Sequence, residues 1–307
     1  MSEASSEDRF FSGFSAQHVA LSGATLWCRS GGAGGLPLLL LHGHPRTHAT
    51  WHAVAARLQG DFQVICPDLR GYGRSSKPPT DAEHAPYSKR AMARDMAELM
   101  TSRGHRRFVV AGHDRGAYVA LRLALDHPEL VCGLVILEAV PISEALGRCD
   151  ARFAQRWWHW FFFAQPDKPE AAINADPNAW YGAPERKRQR MGDEAFEDYQ
   201  RAIHDPATVS AMLEDYRAGL GVDREHELAD VRAGRQVASP MLLGWASGDD
   251  LGELYGKPAA VWARWCAHPV QEVVFDCGHH IAEERAPELA QAIAAFAARC
   301  AGLGATS

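Results

Sequence analysis

The sequence predicts an α/β fold: a mostly parallel sheet flanked by helices, interrupted by a long helical insertion. Three observations carry that expectation. Apolar, β-branched runs alternate with helical stretches, and strands buried on both faces of a parallel sheet read as such continuous runs. One run turns sharply into an amphipathic segment through Gly112-His113-Asp114-Arg115-Gly116. The rhythm then stops after Pro141 and resumes near Pro240, and residues 141–239 differ in composition from the rest.

Taken in order, residues 18–29 read as an antiparallel hairpin at the sheet edge. Residues 38–41, 62–66, 108–111, 131–137, 241–245 and 273–275 read as buried strands. The segment 88–103 is a helix with Ala91, Met92, Met96, Leu99 and Met100 on one side, 117–125 is apolar-periodic, and 288–300 is an alanine-rich helix. Residues 1–140 with 240–307 form the expected core domain, and 141–239 the expected cap. The cap holds Trp157, Trp158, Trp160, Phe161, Phe162, Phe163, Trp180 and Tyr181. Aromatics above the carboxyl ends of strands would roof an apolar pocket, the usual place for a ligand in open α/β sheets. The tails 1–7 and 301–307 are expected to fray.

A chain of 307 residues with 47% hydrophobic and 23% charged residues is long enough for one large core. Its net charge of -6 leaves no basic stripe for nucleic acid. Seven cysteines, odd in number and without C-x-x-C spacing, suit reduced thiols better than a disulfide framework or a zinc site. The start is polar and acidic, and no stretch reaches the roughly 18 apolar residues of a membrane span. The expectation is a cytoplasmic protein bound to no membrane.

The chemistry centres on Asp114. Flanking glycines lift the central side chain of a strand-turn-helix elbow clear of the backbone, and here that side chain is a carboxylate able to attack carbon and form an ester. The bland alternative is a helix cap. Partners should follow in the order nucleophile, acid, histidine. His279, after Gly278 and the run 273–275, is the expected general base, since imidazole titrates near neutrality. Glu138, after the strand 131–137, and Asp249 with Asp250, after 241–245, are rival orienting acids. Glu138 is preferred, because a carboxylate ending an apolar run would be costly unpaired. The backbone N–H groups of His44, in His42-Gly43-His44-Pro45, and of Arg115 would form an oxyanion hole for ester hydrolysis. His42, His44, His48 and His52 also invite a metal reading, but no carboxylate lies among them, so no metal and no cofactor is expected.

These residues make the chain resemble the α/β-hydrolase fold and, within it, the fluoroacetate (haloacetate) dehalogenases. The resemblance rests on His42-Gly43-His44-Pro45, Asp68-Leu69-Arg70-Gly71-Tyr72-Gly73, Gly112-His113-Asp114-Arg115-Gly116, His159-Trp160 followed by Ala164-Gln165-Pro166, Glu214-Asp215-Tyr216-Arg217, and Gly278-His279. It implies that Asp114 attacks the halogen-bearing carbon while His159, Trp160 and Tyr216 donate hydrogen bonds to the departing halide. Arg115 would hold the substrate carboxylate, and a homodimer is the family's habit. The chain departs at Tyr118, where the family carries a second arginine, at Glu138, where it carries aspartate, and at His44, where an aromatic residue is usual. Tyr118 and His44 then stand among the substrate-binding residues, and Arg46, beside the oxyanion turn, is a candidate to compensate for the missing arginine. Two other readings stay open. One is an epoxide hydrolase in which Tyr181, Tyr199 or Tyr216 protonates the leaving oxygen, and the other is a non-catalytic binding protein on the same fold.

Overall fold

The computed structural model describes residues 10–303. Strands β1 (Phe14–Ala20), β2 (Thr25–Gly31), β3 (Pro37–Leu41), β4 (Gln63–Pro67), β5 (Phe108–His113), β6 (Val131–Leu137), β7 (Met241–Ala246) and β8 (Gln271–Phe275) form one sheet, ordered β1-β2-β4-β3-β5-β6-β7-β8. The edge hairpin read from the sequence is β1 with β2; β2 runs antiparallel to both β1 and β4, and every later pairing is parallel.

Successive side chains of a strand point to opposite faces, and the sheet accordingly divides its apolar residues between two cores. Leu39, Leu41, Val110, Leu134 and Ile136 pack on one face, and Leu38, Leu40, Val109, Ala111, Val135 and Leu137 on the other. This is why those runs lack polar alternation. The helix expected at 88–103 spans Lys89–Ser102, with the Ser88 side chain accepting from the Ala91 N–H. The last helix spans Ala286–Leu303, with Pro287 in its first turn, where proline is tolerated. Residues 301–303, expected to fray, therefore continue that helix, and the remaining tail residues 1–7 and 304–307 lie outside the described residues. Among the described residues no helix is long and apolar enough to cross a membrane.

Between β6 and β7 the chain is helical, from Ile142–Gly147 to Arg224–Arg232. Buried polar contacts bind this insertion to the core. Tyr72 Oη donates to Asp215 at 2.7 Å, Lys89 pairs with Asp215, and Thr47 Oγ1 donates to Asp198 at 2.6 Å.

The turn out of β5 depends on close backbone approach. A Cβ at Gly116 would strike the carbonyl oxygens of His42 and Leu41, and one at Gly112 the Gly116 carbonyl. Gly116→Ala is expected to lower stability by about 1–3 kcal/mol, read as a reduced denaturant midpoint with an unchanged slope.

Candidate active site

Asp114 caps the β5 strand at φ 49°, a left-handed conformation rare for a residue with a side chain, and the helix Arg115–Asp126 begins directly after it. The neighbouring strand holds this conformation, because the Asp114 N–H donates to the Leu137 carbonyl at 3.0 Å. The carboxylate does not cap the helix; the His44 N–H donates to its Oδ1 at 2.7 Å. Burial works to raise the pKa of Asp114. His279, His113, Arg115 and the Arg115 backbone N–H outweigh it, so the carboxyl sits below its ordinary range and is ionised at neutral pH. Both backbone donors read as an oxyanion hole thus act on this side chain.

His279 is held from two sides. The His113 Nε2–H donates to its carbonyl oxygen at 2.7 Å, and its Nδ1 meets Asp249 Oδ2 at 2.6 Å. Glu138 Oε2 is 4.0 Å from the same nitrogen. The preference for Glu138 as direct partner is corrected here: Asp249 takes that place. The physical reason is a change of charge state. Burial drives the Glu138 carboxyl up to about 9, so it is neutral, accepts from the Ala246 N–H and bonds to Asp249. Burial also disfavours charge on Asp249, but the His279 hydrogen bond and charge override it and bring Asp249 down to about 2. For His279, burial favours the neutral ring. The hydrogen bond and charge of Asp249, with the charge of Asp114, outweigh that and raise it to about 9.

A pair of substitutions separates the two acids. Asp249→Asn is expected to cut kcat by roughly 10⁴-fold, the scale seen when the orienting acid of a triad is neutralised, whereas Glu138→Gln mimics a carboxyl that is already neutral and should keep kcat within about tenfold. The stability of Glu138→Gln carries a sign as well. The native Glu138 binds its proton from the ordinary 4.5 up to about 9, so the parent loses stability as pH rises through that window. The Tm difference in favour of Glu138→Gln should therefore widen from pH 5 to pH 9.

Asp114, Glu138, Asp249 and His279 open onto one cavity of about 270 Å³, and His159, Trp160 and Tyr216 complete its wall with His44 and Tyr118. The expected halide donors are therefore brought to the nucleophile. His159 is lowered to about 4 by burial, which leaves a neutral ring with one N–H to donate. Arg115 is placed differently from the expectation. Its guanidinium is fully buried and stacks 4.1 Å from the Tyr216 ring centroid. Nε and Nη2 engage the Asp215 carboxylate at 3.0 and 3.1 Å, and Nη2 also reaches the Asp215 carbonyl at 2.8 Å. It does not line the cavity, and only Nη1 is buried without an acceptor. Arg46 is no substitute, because its guanidinium is paired with Glu283 at 2.7 Å.

The histidine run is structural apart from His44. His42 Nε2 accepts from the Leu69 N–H at 3.0 Å, His48 Nδ1 meets Asp68 at 2.7 Å, and His52 Nδ1 donates to the Ala49 carbonyl at 2.9 Å. Among the described residues, two groups with metal-ligand spacing converge on His279, one with His113 and His280, the other with Glu138 and Asp249. His113 Nε2 is taken up by the His279 carbonyl, and the second group bonds within itself. Sequence reasoning missed His113 as a support and Asp215 as the partner of Arg115. Trp157, whose indole N–H donates to Asp250 at 2.8 Å where both line the cavity, was read only as a roof aromatic. The signal for His113 was present, since it lies inside the elbow motif.

Comparison with known proteins places these features. A family model described as alpha/beta hydrolase fold matches residues 37–286. A fluoroacetate dehalogenase of Burkholderia sp. is 40% identical over 259 residues, covering 82% of this chain and 84% of the relative. A soluble epoxide hydrolase of Corynebacterium sp. (strain C12) is 32% identical, covering 82% and 86%. Among solved structures, a mutant from Pseudomonas aeruginosa with bound MFA, provisionally described as an epoxide hydrolase, superposes with a TM-score of 0.85 at 38% identity over 95% of this chain and 98% of that one.

Proposed function

The chain belongs to the alpha/beta hydrolase fold family, and from that premise we propose that it is a hydrolytic dehalogenase of small haloacids working through an ester on Asp114. The observation that carries the reading is that the elbow carboxylate, His279, and the side chains of His159, Trp160 and Tyr216 share one small cavity. An Asp114 oxygen displaces the halide from carbon, and the halide leaves as an anion toward those three donors, which supports charge where it develops. His279 then takes a proton from water, and the hydroxide adds to the ester carbonyl carbon. The His44 and Arg115 N–H groups bear the resulting oxyanion. Cleavage of the carboxyl C–O bond releases the hydroxyacid, which recovers the proton from His279, and Asp114 retains one oxygen from water. The net products are hydroxyacid, halide and a proton. Residues 141–239 serve in this reading as the cap that keeps bulk water away.

Halide release from fluoro-, chloro- and bromoacetate, followed by ion chromatography, tests the proposal, and diol formation from epoxides without halide release from any haloacid would overturn it. Epoxide opening is the second reading, favoured by the 32% identical relative. Of its three acid candidates, Tyr216 lines the cavity that holds Asp114, Tyr181 lines a neighbouring one, and Tyr199 lines neither and packs under the Arg46 guanidinium at 4.8 Å.

The pH dependence has a definite sign. His279 is raised to about 9 partly by the charge of Asp114, and esterification removes that charge. The base therefore loses its proton more readily in the intermediate. Ester hydrolysis in single-turnover experiments should fall on the acid side with an apparent pKa below that of His279 in the free enzyme, measured by NMR titration.

A further inference from the structure

A second pocket of about 410 Å³, open to solvent and edged by the half-exposed Trp158, adjoins the catalytic cavity, and His44 and His159 line both. The two differ in character. Asp114, Glu138 and Asp249 face the first, whereas Pro45, Phe163, Trp180 and Tyr181 face the second. Trp180 is held in place by stacking on Phe162, centroids 5.5 Å apart. Sites for drug-sized ligands run from about 300 to 1,000 Å³, so the catalytic cavity alone suits a two-carbon acid and the pair of chambers suits something larger.

Of the two rings that line both spaces, His44 is the one hydrogen-bonded to the wall of the second. It packs 5.2 Å from Tyr216 on the catalytic side and 5.6 Å from Tyr181 on the other. A single hydrogen bond, Tyr181 Oη to His44 Nε2 at 3.2 Å, tethers it, and its Nδ1 is buried without a partner. One tether on a ring between two spaces is a latch. Resting on the dehalogenase reading, we propose that the His44–Tyr181 hydrogen bond closes the catalytic cavity against a bulky second substituent on the reacting carbon, and that the aromatic chamber behind it is the subsite for an aryl group once the latch is open.

Tyr181 is thereby a specificity-determining residue, and the readout is a ratio. The kcat/KM for 2-chloro-2-phenylacetate relative to chloroacetate, followed by chloride release, should rise at least tenfold in Tyr181→Ala and by a smaller factor in Tyr181→Phe, which loses only the hydrogen bond. A merely structural role would depress both substrates together and leave the ratio within twofold of the parent, which overturns the proposal. Binding of halogen-free phenylacetate, followed by quenching of tryptophan fluorescence, checks the latch without turnover. It should tighten at least tenfold in Tyr181→Ala, with acetate binding unchanged. Tighter phenylacetate binding without chloride from either substrate sinks the dehalogenase reading and keeps the latch. Chloride release with unmoved ratio and binding does the reverse.

Discussion

Asp114→Ala is expected to abolish turnover, with a loss of about 10⁶-fold, the scale on which removing the nucleophile of a covalent hydrolase is felt. No neighbouring group can substitute. Glu138 is neutral because burial holds its carboxyl near 9, and Asp249 is engaged with His279 Nδ1. The folded state should survive, because the left-handed turn at this position is kept by the Asp114 N–H bond to Leu137 and by the glycines around it, none of which uses the side chain. Halide release and the far-ultraviolet circular dichroism spectrum together check the prediction, and residual activity above about 1% of the parent would overturn the covalent route.

His279→Gln separates the two half-reactions. The carboxylate of Asp114 needs no base to attack carbon, so a single equivalent of halide should appear. The ester then persists, since nothing replaces the imidazole that draws a proton from water, and steady-state turnover falls by about 10⁶-fold. Intact-mass spectrometry should show the protein heavier by the substrate less its halide, and peptide mapping should place the adduct on the segment containing Asp114. In the parent, one turnover in heavy-oxygen water should label that same carboxylate. An unmodified mass alongside a halide burst would mean that water attacks carbon directly.

The sheet was legible because its central strands are buried on both faces, which imprints continuous apolar runs at 108–111 and 131–137. Asp114 and His279 stood out for a related reason: each sits in a local turn motif, and at Asp114 the flanking Gly112 and Gly116 leave no room for a Cβ. The choice between Glu138 and Asp249 was not legible. It turns on how the loop after β7 folds, where the Ser247 N–H donates to Phe275 and the Gly248 N–H to Cys277, contacts that bring Asp249 beside a histidine thirty positions away. The position of Arg115 was hidden likewise, since its partner Asp215 lies a hundred residues further along in the insertion. A motif reports which side chain stands at a bend; it is silent on the counter-charge that distant chain will supply.

The elbow hangs from its neighbours rather than from what lies above it. The Asp114 N–H bonds to Leu137, and the Glu138 N–H bonds in turn to Gly244 at 3.1 Å, so three adjacent strands hold the backbone that carries the Asp114 carboxylate. The helices overhead reach the elbow through side chains, as Asp215 does through Arg115, so changes elsewhere in the roof leave that backbone frame in register.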